Sequence, residues 1–399
     1  MRNPLLAVGQ PRATDEQHRV TTFELFFDLV FVFAVTQVTG FMAAAHSGHG
    51  VVRGFLLLGL LWWLWSSYAW LGNQAHADEG VVRGAMTVAM AAVFVVALTI
   101  PEAWDDLPGG LDGPVVLVVM YLVARMIHLG VYVVAAGEDA GLVHQIAITV
   151  APMLAGGALL LAGALVGGTA QTVLFAAGLA VDWAGTYVTS KEGDWRIHSA
   201  AHWTERHQLF VILAIGESIV AIGVGAAREP ISVALLTGAV LGVLVSVCLW
   251  WLYFDVVSRA AEQQLAQITG AARVQLAIDA YTYLHFPLIA GIVVTALGVE
   301  EVLAHADDRS GLGSFASAAL FGGLALYLTG HVSFKRRMHG ALNGPRLATA
   351  VALALCIPLG AVVPPLVALL LAIGVLGTLV AVETARYAGV RETLRHADA

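Results

Sequence analysis

Eleven ionisable side chains stand inside stretches that are otherwise apolar: Glu24, Asp28, Arg125, Asp182, Glu217, Asp255, Asp279 and Glu383, with His128, His285 and His331. A charge near the centre of a bilayer costs from about 2.5 kcal/mol upward. Each of these groups must therefore be paired, neutral or within reach of water. Carboxylates and imidazoles held in this way bind cations or relay protons. Asp28, Asp182 and Glu217 are the acids on which that chemistry would rest. Tyr121, Arg125, His128 and Tyr132 fall on one face of a helix. On that face Arg125 is a cation partner for Asp28 or Asp182. Glu24 lies one turn before Asp28 on the same face, and Asp279 follows Arg273 by six residues.

The elements that must carry these groups follow from composition. The chain has 399 residues, of which 59% are hydrophobic and only 12% charged, with a mean hydropathy of +0.80. A water-facing surface needs roughly 25% charge, so an ordinary soluble enzyme is excluded, as is disorder. The net charge of −8 leaves no basic field for nucleic acid. Cys248 and Cys356 sit in apolar runs and form neither a disulfide framework nor a CxxC metal site. The polar start of the chain, with Arg2, Arg12, Asp15, Glu16 and Arg19, does not read as a cleavable signal, and the first apolar run reads as an uncleaved span.

An all-α polytopic membrane protein is the class that remains. About 20 apolar residues make one span. Twelve such runs occur: 21–44, 51–72, 83–102, 113–134, 142–166, 169–189, 206–227, 231–256, 275–298, 312–333, 346–363 and 365–388. The weakest breaks are Gly167-Gly168 and Pro364-Pro365. Counting from the N-terminus, one side of the membrane holds Arg2, Arg12, Arg19, Arg83, Lys191, Arg196, Arg206, Arg259, Arg273, Lys335, Arg336, Arg337, Arg346, Arg386, Arg391 and Arg395. The other side holds Arg53, Arg228 and Arg309. This asymmetry predicts that both termini are cytoplasmic. With a rise of about 1.5 Å per residue, nearly all the buried charges fall in the cytoplasmic half, with Glu217 and His285 near mid-depth. Their distribution predicts a polar vestibule open to the cytoplasm.

Two halves are legible. Trp62-Trp63-Leu64-Trp65 in the second span matches Trp250-Trp251-Leu252-Tyr253 in the eighth. His128 matches His331, Pro152 matches Pro358, Asp182 matches Glu383, and Glu24-Leu25-Phe26 matches Gln208-Leu209-Phe210, always six spans on. Six is even, so the halves would be parallel repeats. The expected organisation is a cytoplasmic segment 1–20, a first six-helix half 21–189, an interfacial linker helix 190–205, a second half 206–388 and a cytoplasmic tail 389–399. In the linker, His198, His202 and Glu205 share a helical face that could ligate a metal. The competing reading is an amphipathic interfacial helix anchored by Trp195 and Trp203, and it is the one carried forward, so no metal or cofactor is expected. Arg206 is in position to cross-pair with Asp28 or Glu24. Trp62, Trp63, Trp65 and Trp70 read as a packing ridge.

Two segments resemble the bacterial low temperature requirement A family: Phe23-Glu24-Leu25-Phe26-Phe27-Asp28-Leu29-Val30-Phe31-Val32, and His202-Trp203-Thr204-Glu205-Arg206 followed by Leu209-Phe210 and Gly216-Glu217-Ser218. The resemblance covers most of the chain. It implies a bacterial plasma-membrane protein and adds weight to Glu24, Asp28, Glu205, Arg206 and Glu217, without supplying a substrate. The two-times-six plan is similar in architecture alone to the two-repeat potassium channels of endolysosomal membranes. Their Phe-Ser-Asp string is absent, since Phe27-Asp28 has no Ser and Thr22 stands where an Arg would be needed.

No GxxxxGK[ST] loop, GxSxG elbow or HExxH string is present. The leading expectation is a secondary transporter or ion-conducting protein for a small cation, a proton or a small solute, lying among membrane lipids. The alternatives are an intramembrane lipid-modifying enzyme, in which paired Asp and His with a metal would do the acid–base work in a lipid-filled pocket near Asp28, Asp182, His128 and Arg125, and a sensory or scaffold protein with structural charges.

Overall fold

The computed structural model describes residues 14–191, 193–227 and 230–389. Arg2, Arg12, Arg228, Arg391 and Arg395 of the charge asymmetry lie outside the described residues, as do most of the expected terminal segments 1–20 and 389–399.

The described chain is helical, with no strand element. The helices are α1 (Thr22–Ala45), α2 (Gly48–Gln74), α3 (Gly80–Thr99), α4 (Gly113–Ala136), α5 (Ala140–Val166), α6 (Gly168–Ser190) and α7 (Ala200–Ala226). There follow α8 (Val233–Phe254), α9 (Val257–Gln267), α10 (Gly270–Leu276), α11 (Phe286–Ala304), α12 (Ser314–His339), α13 (Gly344–Val362) and α14 (Pro365–Arg386). Twelve helical segments among them are long and apolar enough to cross a membrane, matching the twelve runs. This is a multi-span membrane protein.

Both weak breaks are real. Gly167 and Gly168 have φ of 74° and 60°, a pair of left-handed residues that only glycine adopts cheaply, so α5 ends and α6 begins. Val363 is extended before Pro364, as the residue ahead of a proline tends to be, and α14 starts at Pro365. Asp112, Asp139, Ser232 and Asn343 cap α4, α5, α8 and α13 by accepting backbone N–H bonds from the third residue on.

Three segments differ from expectation. Residues 193–199 form no helix, and 200–205 are the first turns of α7. The amphipathic surface helix is instead α9, which buries Ser258, Ala261 and Leu265 and leaves Arg259 exposed. The ninth span is longer than 275–298: it runs Gly270–Ala304 through a π-helical stretch, Ala277–Tyr283. There His285 Nδ1 donates to the Ala280 carbonyl at 3.0 Å, and its Nε2 accepts from Tyr253 Oη at 2.8 Å.

The chain divides into two compact units. One comprises residues up to Phe41, Val52–Arg206 and Thr269–Ile278; the other comprises Met42–Val51, His207–Ile268 and the chain from Asp279. In the first unit α3 packs on α4, α4 on α5 and α5 on α6. Gly156 and Gly178 bring α5 and α6 so close that a Cβ on either would strike the other's carbonyl oxygen. In the second unit α11 packs on α12, α12 on α13 and α13 on α14. A Cβ at Gly291 or Gly298 of α11 would strike the backbone of Tyr327 or Leu320.

Candidate functional site

The site is built where α1 begins, α2 ends and α7 begins, all within the first unit. Thr21 and Glu24 form a capping box: the Thr21 N–H and hydroxyl donate to Glu24 Oε2 at 2.9 and 3.1 Å, and the Glu24 N–H donates to Thr21 Oγ1 at 3.3 Å. Helical spacing then puts Asp28 beneath Glu24, while Leu25, Phe26 and Leu29 face outward. At the end of α2, the Asn73 side-chain oxygen accepts from the His198 N–H at 2.7 Å and its nitrogen donates to the Ser199 carbonyl at 2.7 Å. These bonds satisfy the linker backbone without a helix. Ser199 then caps α7, its Oγ accepting from the His202 N–H at 3.0 Å and donating to the His18 carbonyl at 2.8 Å.

With that entry fixed, α7 aims His202 and Arg206 at α1. Arg206 grips Asp28 with two parallel bonds, Nη1 to Oδ2 at 2.7 Å and Nη2 to Oδ1 at 2.8 Å, the strong bidentate form of a guanidinium–carboxylate pair. The Trp65 indole N–H adds a third bond to Asp28 Oδ1 at 2.9 Å. Glu24 Oε1 lies 3.7 Å from Arg206 Nε and 2.9 Å from His202 Nε2. Asn73 Nδ2 donates to His202 Nδ1 at 3.2 Å, which assigns the ring hydrogen to Nε2 and makes it the donor to Glu24. Gly72 of α2 leaves the space for this carboxylate; a Cβ there would collide with Glu24 Oε1. Glu24, Asp28, His202 and Arg206 are each at most 1% exposed. Just outside the span, His18 stacks on His202 with ring centroids 4.6 Å apart. Burial pushes the His18 imidazole down to about 4.

A second buried pair lies in the same unit. Arg125 Nη2 reaches Asp182 Oδ2 at 3.3 Å, and the Trp63 indole N–H donates to the same oxygen at 2.8 Å. Arg125 also donates to Ser67 Oγ. His128 packs edge-on against Tyr68 and Tyr132. The second unit has its own centre. Arg346 holds Glu383 through Nε to Oε1 at 2.8 Å and Nη2 to Oε2 at 2.6 Å, and donates through Nη1 to His331 Nδ1 at 2.7 Å and through Nη2 to the Leu252 carbonyl at 2.8 Å.

The family model described as Bacterial low temperature requirement A protein (LtrA) matches residues 19–381. The chain belongs to the LtrA family. It is also similar to the "Uncharacterized protein RA0937" of Rhizobium meliloti (strain 1021), 30% identical over 329 residues, which are 80% of this chain and 78% of that protein. No solved structure matches it. In this LtrA protein the two strings noticed in the sequence meet at one point. Glu24 and Asp28 of the first are bonded by His202 and Arg206 of the second, 178 residues away.

The remaining expected residues are scattered. Glu205 accepts the Val20 N–H at 3.1 Å. Glu217 is buried in α7 at 1% exposure, in the part of that helix belonging to the second unit. Asp279 pairs with Arg337 at 2.7 Å in the second unit. His198, His202 and Glu205 do not converge on one face for a metal: they bond Gln74, Glu24 and Val20 respectively. Of the two partners open to Arg125, Asp182 is the one taken. Asp28 and Asp182, at 0% and 5% exposure, do not line an open vestibule in this conformation.

Trp63 and Trp65 pack, as a ridge would, but each also gives its N–H to a buried acid. Sequence reasoning missed Arg346, counted there as a loop charge; its place three residues after the cap Asn343, facing the matched acid Glu383, was the available signal. Asn73 and Ser199 were missed as well.

Proposed function

We propose that this LtrA-family protein is a secondary transporter or ion-conducting protein for a small cation or proton, with Asp28 as the coupling carboxylate. The observation that carries the reading is that two buried carboxylates, Glu24 and Asp28, face a single guanidinium, that of Arg206. Such an arrangement has two pairings. When a proton or cation neutralises Asp28, Arg206 is released toward Glu24, whose Oε1 already lies 3.7 Å from its Nε. Neutralisation of one acid is thereby converted into movement of a charged side chain between α1 and α7. The sealed network is read as an occluded state, which alternate access would open. The one-sided distribution of Lys and Arg supports cytoplasmic termini. The six-span correspondence of Asp182 with Glu383, each held by a buried arginine, supports two six-helix repeats.

The test is flux. Tag-free protein in liposomes is assayed for proton and alkali-cation movement with pH- and potential-sensitive dyes. Wild type should carry a flux that Asp28→Asn abolishes while the variant remains folded. An Asp28→Asn protein that retains full flux, or a wild type that moves none of these ions, would overturn the reading. The complete burial of Asp28 favours a second reading, in which the network is a staple between α1 and α7. On that reading neutral replacements change stability and nothing else.

A further inference from the structure

Going beyond transport, we propose that His18, Glu24 and His202 form a binding site for one divalent transition-metal ion at the start of α1. Each residue offers one ligand atom, and these atoms lie within 4.8 Å of one another. Tetrahedral zinc, with bonds of about 2.0–2.2 Å, needs its ligands about 3.3 Å apart. His202 Nε2 and Glu24 Oε1 stand 2.9 Å apart, and the His18 ligand atom, within 4.8 Å of both, has to draw in by at most about 1.5 Å to complete the set.

A second observation points the same way. His18 is 93% buried, being 7% exposed, yet its Nε2 has no hydrogen-bond partner. An orphaned imidazole nitrogen in a buried pocket costs about 1–3 kcal/mol, and coordination would satisfy it. The charge balance agrees, because two carboxylates share one guanidinium and a cation offsets the remaining negative charge. Two imidazoles and one carboxylate suit zinc, cobalt or nickel; magnesium and calcium prefer all-oxygen sites. Three protein ligands leave a fourth position for water.

Coordination through His202 Nε2 moves the ring hydrogen to Nδ1, where Asn73 now presents an N–H. Native affinity is therefore restrained. Asn73→Asp would supply a carboxylate oxygen to that hydrogen, the orientation that metal-bound histidines favour.

Tag-free protein in detergent, stripped with chelator, is titrated with Zn2+ and Co2+ by calorimetry, with metal content read by mass spectrometry and the Co2+ site by its visible absorption. The expected result is one ion per chain with a tetrahedral Co2+ spectrum. His18→Ala, which removes a side chain with no hydrogen-bond duty at Nε2, should weaken binding by about tenfold or more, and Asn73→Asp should tighten it by about tenfold. Mg2+ and Ca2+ should not compete. Absence of saturable Zn2+ or Co2+ binding by wild type, or equal binding by a folded His18→Ala protein, overturns the site. Should His18→Ala not fold, unchanged or weaker binding in Asn73→Asp overturns it. Because the readout is binding, a protein that moves no ion in liposomes leaves this outcome independent.

Discussion

Arg206 and Asp28 differ in what each leaves behind when neutralised, and this gives an ordering of stabilities. Arg206→Gln strands two carboxylates in a site where Glu24 and Asp28 are at most 1% exposed. Removing one partner of a buried pair costs about 3–5 kcal/mol, and here two acids lose their common cation, so the upper end is expected. Asp28→Asn keeps an oxygen for the Trp65 N–H and leaves Arg206 3.7 Å from Glu24 Oε1. At an effective dielectric of about 20, that separation corresponds to an attraction of about 4 kcal/mol, before any shortening. The loss in Asp28→Asn should therefore stay at about 1–2 kcal/mol. Adding Asp28→Asn to Arg206→Gln removes one of the stranded charges, so the double variant should be more stable than Arg206→Gln alone. Reversible unfolding in mixed micelles by SDS, followed by tryptophan fluorescence, measures all three, and the double-mutant cycle isolates the coupling. If Arg206→Gln were no less stable than Asp28→Asn, or if the double variant were the least stable of the three, the argument from shared charge would fail.

Gly72→Ala should destabilise by about 1–3 kcal/mol, because its Cβ meets Glu24 Oε1; the same unfolding assay checks this, and a neutral result would show that Glu24 has room to move. Trp63→Phe removes the N–H bonded to Asp182 at 2.8 Å, a bond to a charged group worth about 1.5–3 kcal/mol, and the same assay should show a loss of that size. In the second unit, Tyr327→Phe removes the 2.6 Å bond to the Leu249 carbonyl and should cost about 1 kcal/mol. His198 is held below its ordinary value of 6.5 by burial, with the Arg196 charge adding to the effect. Its neutral form is the one the fold favours, so its contribution is present above pH 6.5 and declines as pH falls below that value. His198→Gln, which keeps a polar group near Gln74, should flatten that part of the stability–pH curve; an unchanged slope would assign it elsewhere.

Hydropathy and charge placement were enough to find the twelve spans and both weak breaks, because crossing a bilayer depends on local composition and on backbone hydrogen bonds closed within each helix. The same reasoning marked Glu24, Asp28, Asp182 and Glu383 as acids in need of partners, since the cost of burying a charge does not depend on who its neighbour is. Which cation answers each acid is a matter of which helices lie side by side. Arg125 turned to Asp182, Arg206 crossed 178 positions to Asp28, and Arg346, at the edge of an apolar run, folded inward to Glu383. An irregular segment replaced the expected linker helix because the Asn73 side chain, more than a hundred positions away, met the backbone groups of His198 and Ser199, and Ser199 capped α7. Such pairings follow from three-dimensional neighbours, whose positions are not encoded in any single window of residues.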